Sequence, residues 1–194
     1  DAIVWHARRL GYLDRYSEAI AVLTAGLETH PEEPQLYRHR GHRYITVRQY
    51  QRAVADFETA ARLCSGPGGV PDAGEPDGSP NAAGIPTSTL HTNIYYHLGL
   101  ARFLLGQYEQ AVDCFSRANS VQRHDVTFMQ LGKVYALQED YKSAIDVYTE
   151  ALEFSPEHSE LLTTLGILYL RMGENFRAFD FLGNSLTHDP KNPK

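Results

Sequence analysis

The chain has 194 residues, 42% of them hydrophobic, with 18 basic against 24 acidic side chains, two cysteines and a net charge of −6. This is enough for one compact domain or a short repeat array with a real core, and the acidic balance argues against nucleic acid, since phosphate binding needs a basic surface. Cys64 and Cys114 cannot make a disulfide framework, no Cys/His spacing suits zinc, and neither a membrane-length apolar run nor a signal-peptide core is present; the expectation is a soluble cytoplasmic protein in a reducing compartment.

Helices are predicted at 2–13 and 16–29, the first carrying Trp5, Ala7 and Arg8 and the second Tyr16-x-x-Ala19. Pro31 follows, where a proline ends a helix without harming one. Helices at 34–47 and 50–63 repeat the arrangement, with Leu-Tyr-Arg-His-Arg-Gly-His-Arg-Tyr at 36–44 and then Tyr50-x-x-Ala53. From 65 to 88 the chain reads SGPGGVPDAGEPDGSPNAAGIPTS, rich in Gly and Pro, which predicts an inserted loop. That loop is either a plain surface insertion, cheap because closure cost grows slowly with length, or a lid over a binding groove. Ile85-Pro86-Thr87 is the expected anchor, with Thr87 or Ser88 as the cap of the next helix. Helices at 88–105 and 108–120 hold Tyr-Tyr-His-Leu-Gly-Leu-Ala (95–101) and Tyr108-x-x-Ala111. Helices at 125–138 and 141–154 hold Phe-Met-Gln-Leu-Gly-Lys-Val-Tyr (128–135) and Tyr141-x-x-Ala144; those at 159–172 and 175–188 hold Leu-Thr-Thr-Leu-Gly-Ile-Leu-Tyr (162–169) and Ala178. In the last copy Phe176 precedes the alanine, so this copy reads as slipped by one position.

The small residues keep register. Ala19, Ala53, Ala111, Ala144 and Ala178 recur at 34, 58, 33 and 34, and Ala7, Gly41, Gly99, Gly132 and Gly166 run in phase twelve residues upstream. A small side chain at fixed phase marks a close helix crossing, flanked by large residues such as Tyr37 and Tyr44. This pattern resembles the tetratricopeptide repeat (TPR), a 34-residue helix–turn–helix unit. The expected fold is all-α: a right-handed α-solenoid of five hairpins, with repeats at about 1–33, 34–64, 88–121, 125–157 and 159–190. Such arrays bind proteins or peptides in a concave groove lined by the first helix of each hairpin, and usually finish with an extra polar helix. None is read here, so Phe176, Phe179, Leu182 and Leu186 are expected to form a self-association surface or to meet further repeats.

The stretch from Arg123, with Arg-His-Asp at 123–125 and Glu-Leu-Leu-Thr-Thr-Leu-Gly at 160–166, is similar to the TPR segment of the fourth Bardet–Biedl syndrome family, subunits of the BBSome ciliary trafficking coat. The first 118 residues, with eleven arginines and no lysine, resemble bacterial TPR proteins instead. The resemblance implies either a ciliary coat subunit or fragment, located at the cilium or basal body, or a chimera joined between Ala118 and Arg123 with no cellular role.

Candidate groove residues lie one to three positions from the small residue, apart from Asn93, six before Gly99: Trp5, Arg8, Arg38, His39, His42, Asn93, Tyr96 and His97, then Met129, Gln130, Lys133, Thr163, Thr164 and Ile167. Arginine beside aromatics suits an extended acidic peptide, through bidentate hydrogen bonds and stacking. The Lys/Asn set with which chaperone-binding TPR domains grip a carboxylate is not matched, since Arg38, His42, His97, Val126 and Gln130 stand at those places. His39, His42 and His97 lack a fourth ligand for zinc or nickel, so no metal or other cofactor is expected. No phosphate loop, Gly-x-Ser-x-Gly elbow or His-Glu-x-x-His helix occurs, both cysteines fall in helices as packing residues, and the expected function is a non-enzymatic interaction scaffold.

Overall fold

The computed structural model describes residues 2–65 and 87–188, so the predicted 65–88 loop and its Thr87 or Ser88 cap lie almost wholly outside the described residues. Among those residues there are ten helices: α1 (Ala2–Tyr12), α2 (Tyr16–Thr29), α3 (Pro34–Thr46), α4 (Tyr50–Ser65), α5 (Thr87–Leu104), α6 (Tyr108–Val121), α7 (Asp125–Leu137), α8 (Tyr141–Phe154), α9 (Ser159–Arg171) and α10 (Asn175–His188). They fall into two compact units, Asp1–Gln122 and Arg123–Lys194. In unit 1 each helix packs on the next from α1 to α6, and the first helices of the hairpins also touch, α1 on α3 and α3 on α5. In unit 2 the order of packing is α7, α8, α9, α10.

One device ends the first helix of every hairpin. Asp14, Arg48, Gly106, Glu139 and Gly173 all have positive φ, between 57° and 80°. The residue after each donates its N–H back to the carbonyl five residues earlier: Arg15 to Leu10, Gln49 to Tyr44, Gln107 to Arg102, Asp140 to Tyr135 and Glu174 to Tyr169, at 2.8–3.0 Å. This is the Schellman closure, in which one left-handed residue satisfies otherwise orphaned carbonyls. It also explains why the predicted ends at 13, 47, 105, 138 and 172 each overrun the structure by one residue. Only two repeats place glycine there, so Asp14, Arg48 and Glu139 hold a conformation that costs a side chain about 1 kcal/mol. Glu139→Gly is accordingly expected to stabilise the protein by a few tenths to ~1 kcal/mol, read as a raised urea midpoint.

The two small-residue series have separate partners. Each of the five alanines at the register position is fully buried. A Cβ added at Gly41 would lie 3.0 Å from the Phe57 ring, one at Gly99 would lie 2.8 Å from Phe115, and one at Gly166 would lie 2.6 Å from Leu182; at Gly132 it would strike Tyr148. The large residue seated at each glycine therefore comes from the same hairpin, sixteen residues on, rather than from flanking tyrosines. Tyr44 and Tyr169 are instead buried in the cores. A third series, Gly26, Ala60, Ala118, Ala151 and Ser185, is also buried; at Gly26 the space is filled by Ile3 and Leu36 of the neighbouring first helices. The fifth copy does not slip. Asn175 stands where the other second helices begin with tyrosine, Ala178 is in register, and Phe176 falls on the outside.

Candidate functional site

Unit 1 gathers most of the predicted groove residues. On α3, Arg38 and His42 are one turn apart, as are His39 and Arg43, so the four share a face. α5 brings His97 against it: the His42 and His97 rings meet edge-on at 5.2 Å, His97 stacks on Phe57 at 5.8 Å, and Tyr96 meets His97 edge-on at 5.1 Å. The floor is thus aromatic, and Phe57, the residue seated at Gly41, supports it from α4.

Hydrogen bonding fixes the proton positions. Arg38 donates from Nη2 to His39 Nε2 at 2.8 Å, and a guanidinium has only donors, so Nε2 carries the lone pair. His97 Nδ1 lies 2.7 Å from the Asn93 carbonyl, which only accepts, so the proton of His97 is on Nδ1. Asn93 turns its own amide to the Thr89 carbonyl at 2.8 Å.

The site is positively charged, and among the described residues it has no counter-ion. Burial, then Arg8, pushes the Arg38 guanidinium down. Burial, then Arg38, Arg8, Arg43 and His42, pushes His39 down to about 3. His42 is pushed down to about 4 by burial, then by His97, Arg43 and Arg38. Burial also lowers His97, against the opposing effect of its bond to Asn93. Among the described residues no carboxylate acts on Arg38, His39 or His42. Among the described residues Arg38 Nε and His42 Nδ1 are buried without a hydrogen-bond partner, an arrangement that costs roughly 1–3 kcal/mol per group and more for a charged one. Two other arginines of the unit have a carboxylate: Arg40 pairs with Asp56 at 2.7 Å and Arg102 with Glu58 at 2.5 Å, although Arg102 Nε, like Arg38 Nε, is buried without a partner among the described residues.

The remaining predicted residues divide. Arg8 is exposed and joins the cluster through its charge. Trp5 is exposed, with the Arg9 guanidinium 5.6 Å over its ring. Tyr96 is half-buried and tilts on Phe115 at 5.9 Å. In unit 2, Met129 packs against the core, Gln130 is half-buried and Lys133 is exposed. Thr163, expected in the groove, is buried between α9 and α10 at 2.6 Å from Ser185 Oγ and bonded to the Ser159 carbonyl. Thr164 bonds the Glu160 carbonyl, and Ile167 is exposed. Of the predicted association stripe, Phe176, Phe179 and Leu186 are exposed, but Leu182 is half-buried at Gly166. Burial holds both thiols at about 11, with Cys114 in the core and Cys64 packed against it. Among the described residues no group of three or more His, Cys, Asp or Glu is placed to hold a metal ion, and no helix is long and apolar enough to cross a membrane.

Arg43 and Phe57 belong to the cluster and were not among the candidates. Gly11 was the available signal for Arg43, because a Cβ there would lie 2.5 Å from its guanidinium.

Residues 90–157 match the family model described as tetratricopeptide repeat. The BBSome complex member BBS4 of Bos taurus is 48% identical over 101 residues, which are 52% of this chain and 20% of that protein, so the chain spans about a fifth of that relative's length. Among solved structures, MamA superimposes with a TM-score of 0.77 at 18% identity, covering 95% of each chain. YrrB, whose structure is described as a TPR protein with an unusual peptide-binding site, gives 0.71 at 19% identity, covering 98% of this chain and 86% of that one. The fold is the TPR solenoid fold.

Proposed function

We propose that this TPR chain is a non-enzymatic interaction scaffold, and that α1, α3 and α5 of unit 1 bind an acidic segment of a partner protein. The carrying observation is Arg38: a guanidinium with a buried nitrogen unpartnered among the described residues, beside Arg8 and Arg43, and with no carboxylate of the described residues acting on it. An Asp or Glu side chain entering there supplies the missing acceptor, and the His42, His97 and Phe57 rings give its flanking residues an apolar floor. The helices are already in place, so little ordering cost falls on the scaffold. The test is fluorescence anisotropy with labelled Glu/Asp-rich, neutral and Lys/Arg-rich dodecapeptides. The acidic peptide is expected to bind tightest, and Arg38→Glu is expected to weaken it at least tenfold, a loss of ~1.4 kcal/mol, with the helical circular dichroism signal unchanged. Equal binding of all three peptides, or indifference to Arg38→Glu, overturns the reading.

The finer reading is a segment of a BBSome-type ciliary subunit. Its support is the 48% identity to the cattle protein, over a stretch too long to be contained in residues 119–194. That length favours one continuous source over a chimera joined between Ala118 and Arg123. A fluorescent fusion expressed in ciliated cells should concentrate at the base of the cilium; a diffuse distribution counts against it.

A further inference from the structure

The outer face of α10 carries Phe176, Phe179, Gly183 and Leu186, with the aromatic and aliphatic side chains 92%, 68% and 54% exposed. Their spacing of three, four and three residues draws one straight seam along the helix, the a/d spacing of a coiled coil. Gly183 sits in the middle, and a Cβ built there meets nothing within 4 Å. We propose that this seam pairs with the same seam of a second copy, antiparallel and about a two-fold axis. That register sets Phe179 of one copy against Gly183 of the other, and Phe176 against Leu186. It repeats between molecules what each hairpin does internally, where a large residue of one helix sits on a glycine of another.

Comparison with the equivalent positions of the other repeats selects this occupant. Phe179 and Leu186 correspond to Ile145 and Leu152 of α8, both packed in the core that contains Leu161 and Leu165 of α9. A helix stacked on α10 as α9 stacks on α8 would cover those two. It would leave Phe176 bare, because the equivalent residues Ser17, Gln51, Glu109 and Lys142 are all exposed and polar. A head-to-tail stack is disfavoured by α1, which presents His6 and Arg9 where α9 has the buried Leu165 and Leu168. The antiparallel seam covers all three exposed side chains. Two phenylalanines and a leucine at these exposures bury roughly 350–400 Å² per copy, below a standard interface, so the expected dimer is a weak one.

Sedimentation velocity on the 194-residue chain from 5 to 500 µM tests this. A monomer–dimer equilibrium is expected, with Phe179→Glu monomeric throughout. Gly183→Leu fills the hole and is expected to weaken the dimer at least tenfold while leaving the monomer folded, since open space surrounds that site; retained helicity and an unchanged urea midpoint check this. Trp5→Ala on α1 is expected to leave the monomer–dimer equilibrium as it is in the unaltered chain. A monomer at 500 µM, association that survives both α10 variants, or association lost in Trp5→Ala, as a head-to-tail contact would give, overturns the proposal.

Discussion

Replacing Asp56 with alanine is expected to destabilise unit 1 by about 3–5 kcal/mol, the largest single-residue effect anticipated in the molecule. Asp56 on α4 is 7% exposed, and both its oxygens accept from Arg40 of α3, Nη2 at 2.7 Å and Nε at 2.8 Å. Arg40 also donates to Thr24 of α2 at 3.2 Å and lies 5.7 and 5.8 Å from the Tyr37 and Tyr44 rings, so one guanidinium ties three helices together. Burial pushes the Asp56 carboxyl up and Arg40 pulls it back down; because the guanidinium does not release its proton, the pair stays ionised at neutral pH. Removing the carboxylate leaves a charge that is 17% exposed without a counter-ion. Removing both charges is different: Arg40→Met with Asp56→Leu is expected to cost little or even stabilise, because the desolvation of two ions is no longer needed. Urea denaturation of the two single variants and the double variant gives the coupling energy directly. If Asp56→Ala costs less than ~1 kcal/mol, the pair is not the tie that its geometry describes.

Two arginines two residues apart on α3 show what the sequence could and could not reveal. The repeat register singles out Arg38 from its distance to Gly41, and the structure places it half-buried, bonded to His39. The same register says nothing about which arginine has an acid within reach. Arg40 finds Asp56 sixteen residues away on the opposite helix, at the same offset at which Gly41 finds Phe57. That offset is a product of hairpin geometry and becomes visible only once the hairpin is closed. The left-handed residue inside each turn is illegible for a related reason. A left-handed position usually announces itself through glycine, but Asp14, Arg48 and Glu139 occupy it here, held by the backbone bonds of the closure rather than by their own preference. The helices themselves were legible because their small residues must stay small, and Thr163 departs from expectation because a hydroxyl one turn from a glycine can equally bond across to Ser185.

Acid is expected to unfold unit 1 ahead of ordinary carboxylate titration. His39 and His42 are neutral in the fold, pushed down to about 3 and about 4, while an unfolded histidine titrates near 6.5. Among the described residues the groups facing them are Arg38 and Arg43 on α3, Arg8 on α1 and His97 on α5, all neutral or cationic, so none of these neighbours welcomes an added proton. Protonation of His39 at Nε2 would also remove the lone pair that accepts from Arg38. Because the folded values lie below the unfolded one, the unfolded chain binds more protons throughout the interval between them. Stability is therefore at its full value above pH 6.5 and falls as the pH drops from there towards 4, by up to roughly 1.4 kcal/mol per pH unit for each histidine. For the two together this amounts to about 2–4 kcal/mol at pH 5. Urea midpoints at pH 7.5, 6.0 and 5.0 should show that slope, and His39→Gln with His42→Gln should flatten it even if the double variant is less stable at pH 7.5. A midpoint constant from 7.5 to 5.0 would mean that the two imidazoles are charged in the fold. An acidic peptide bound at Arg38 should oppose the effect, since a carboxylate there favours the protonated ring, and its binding should take up protons near pH 6.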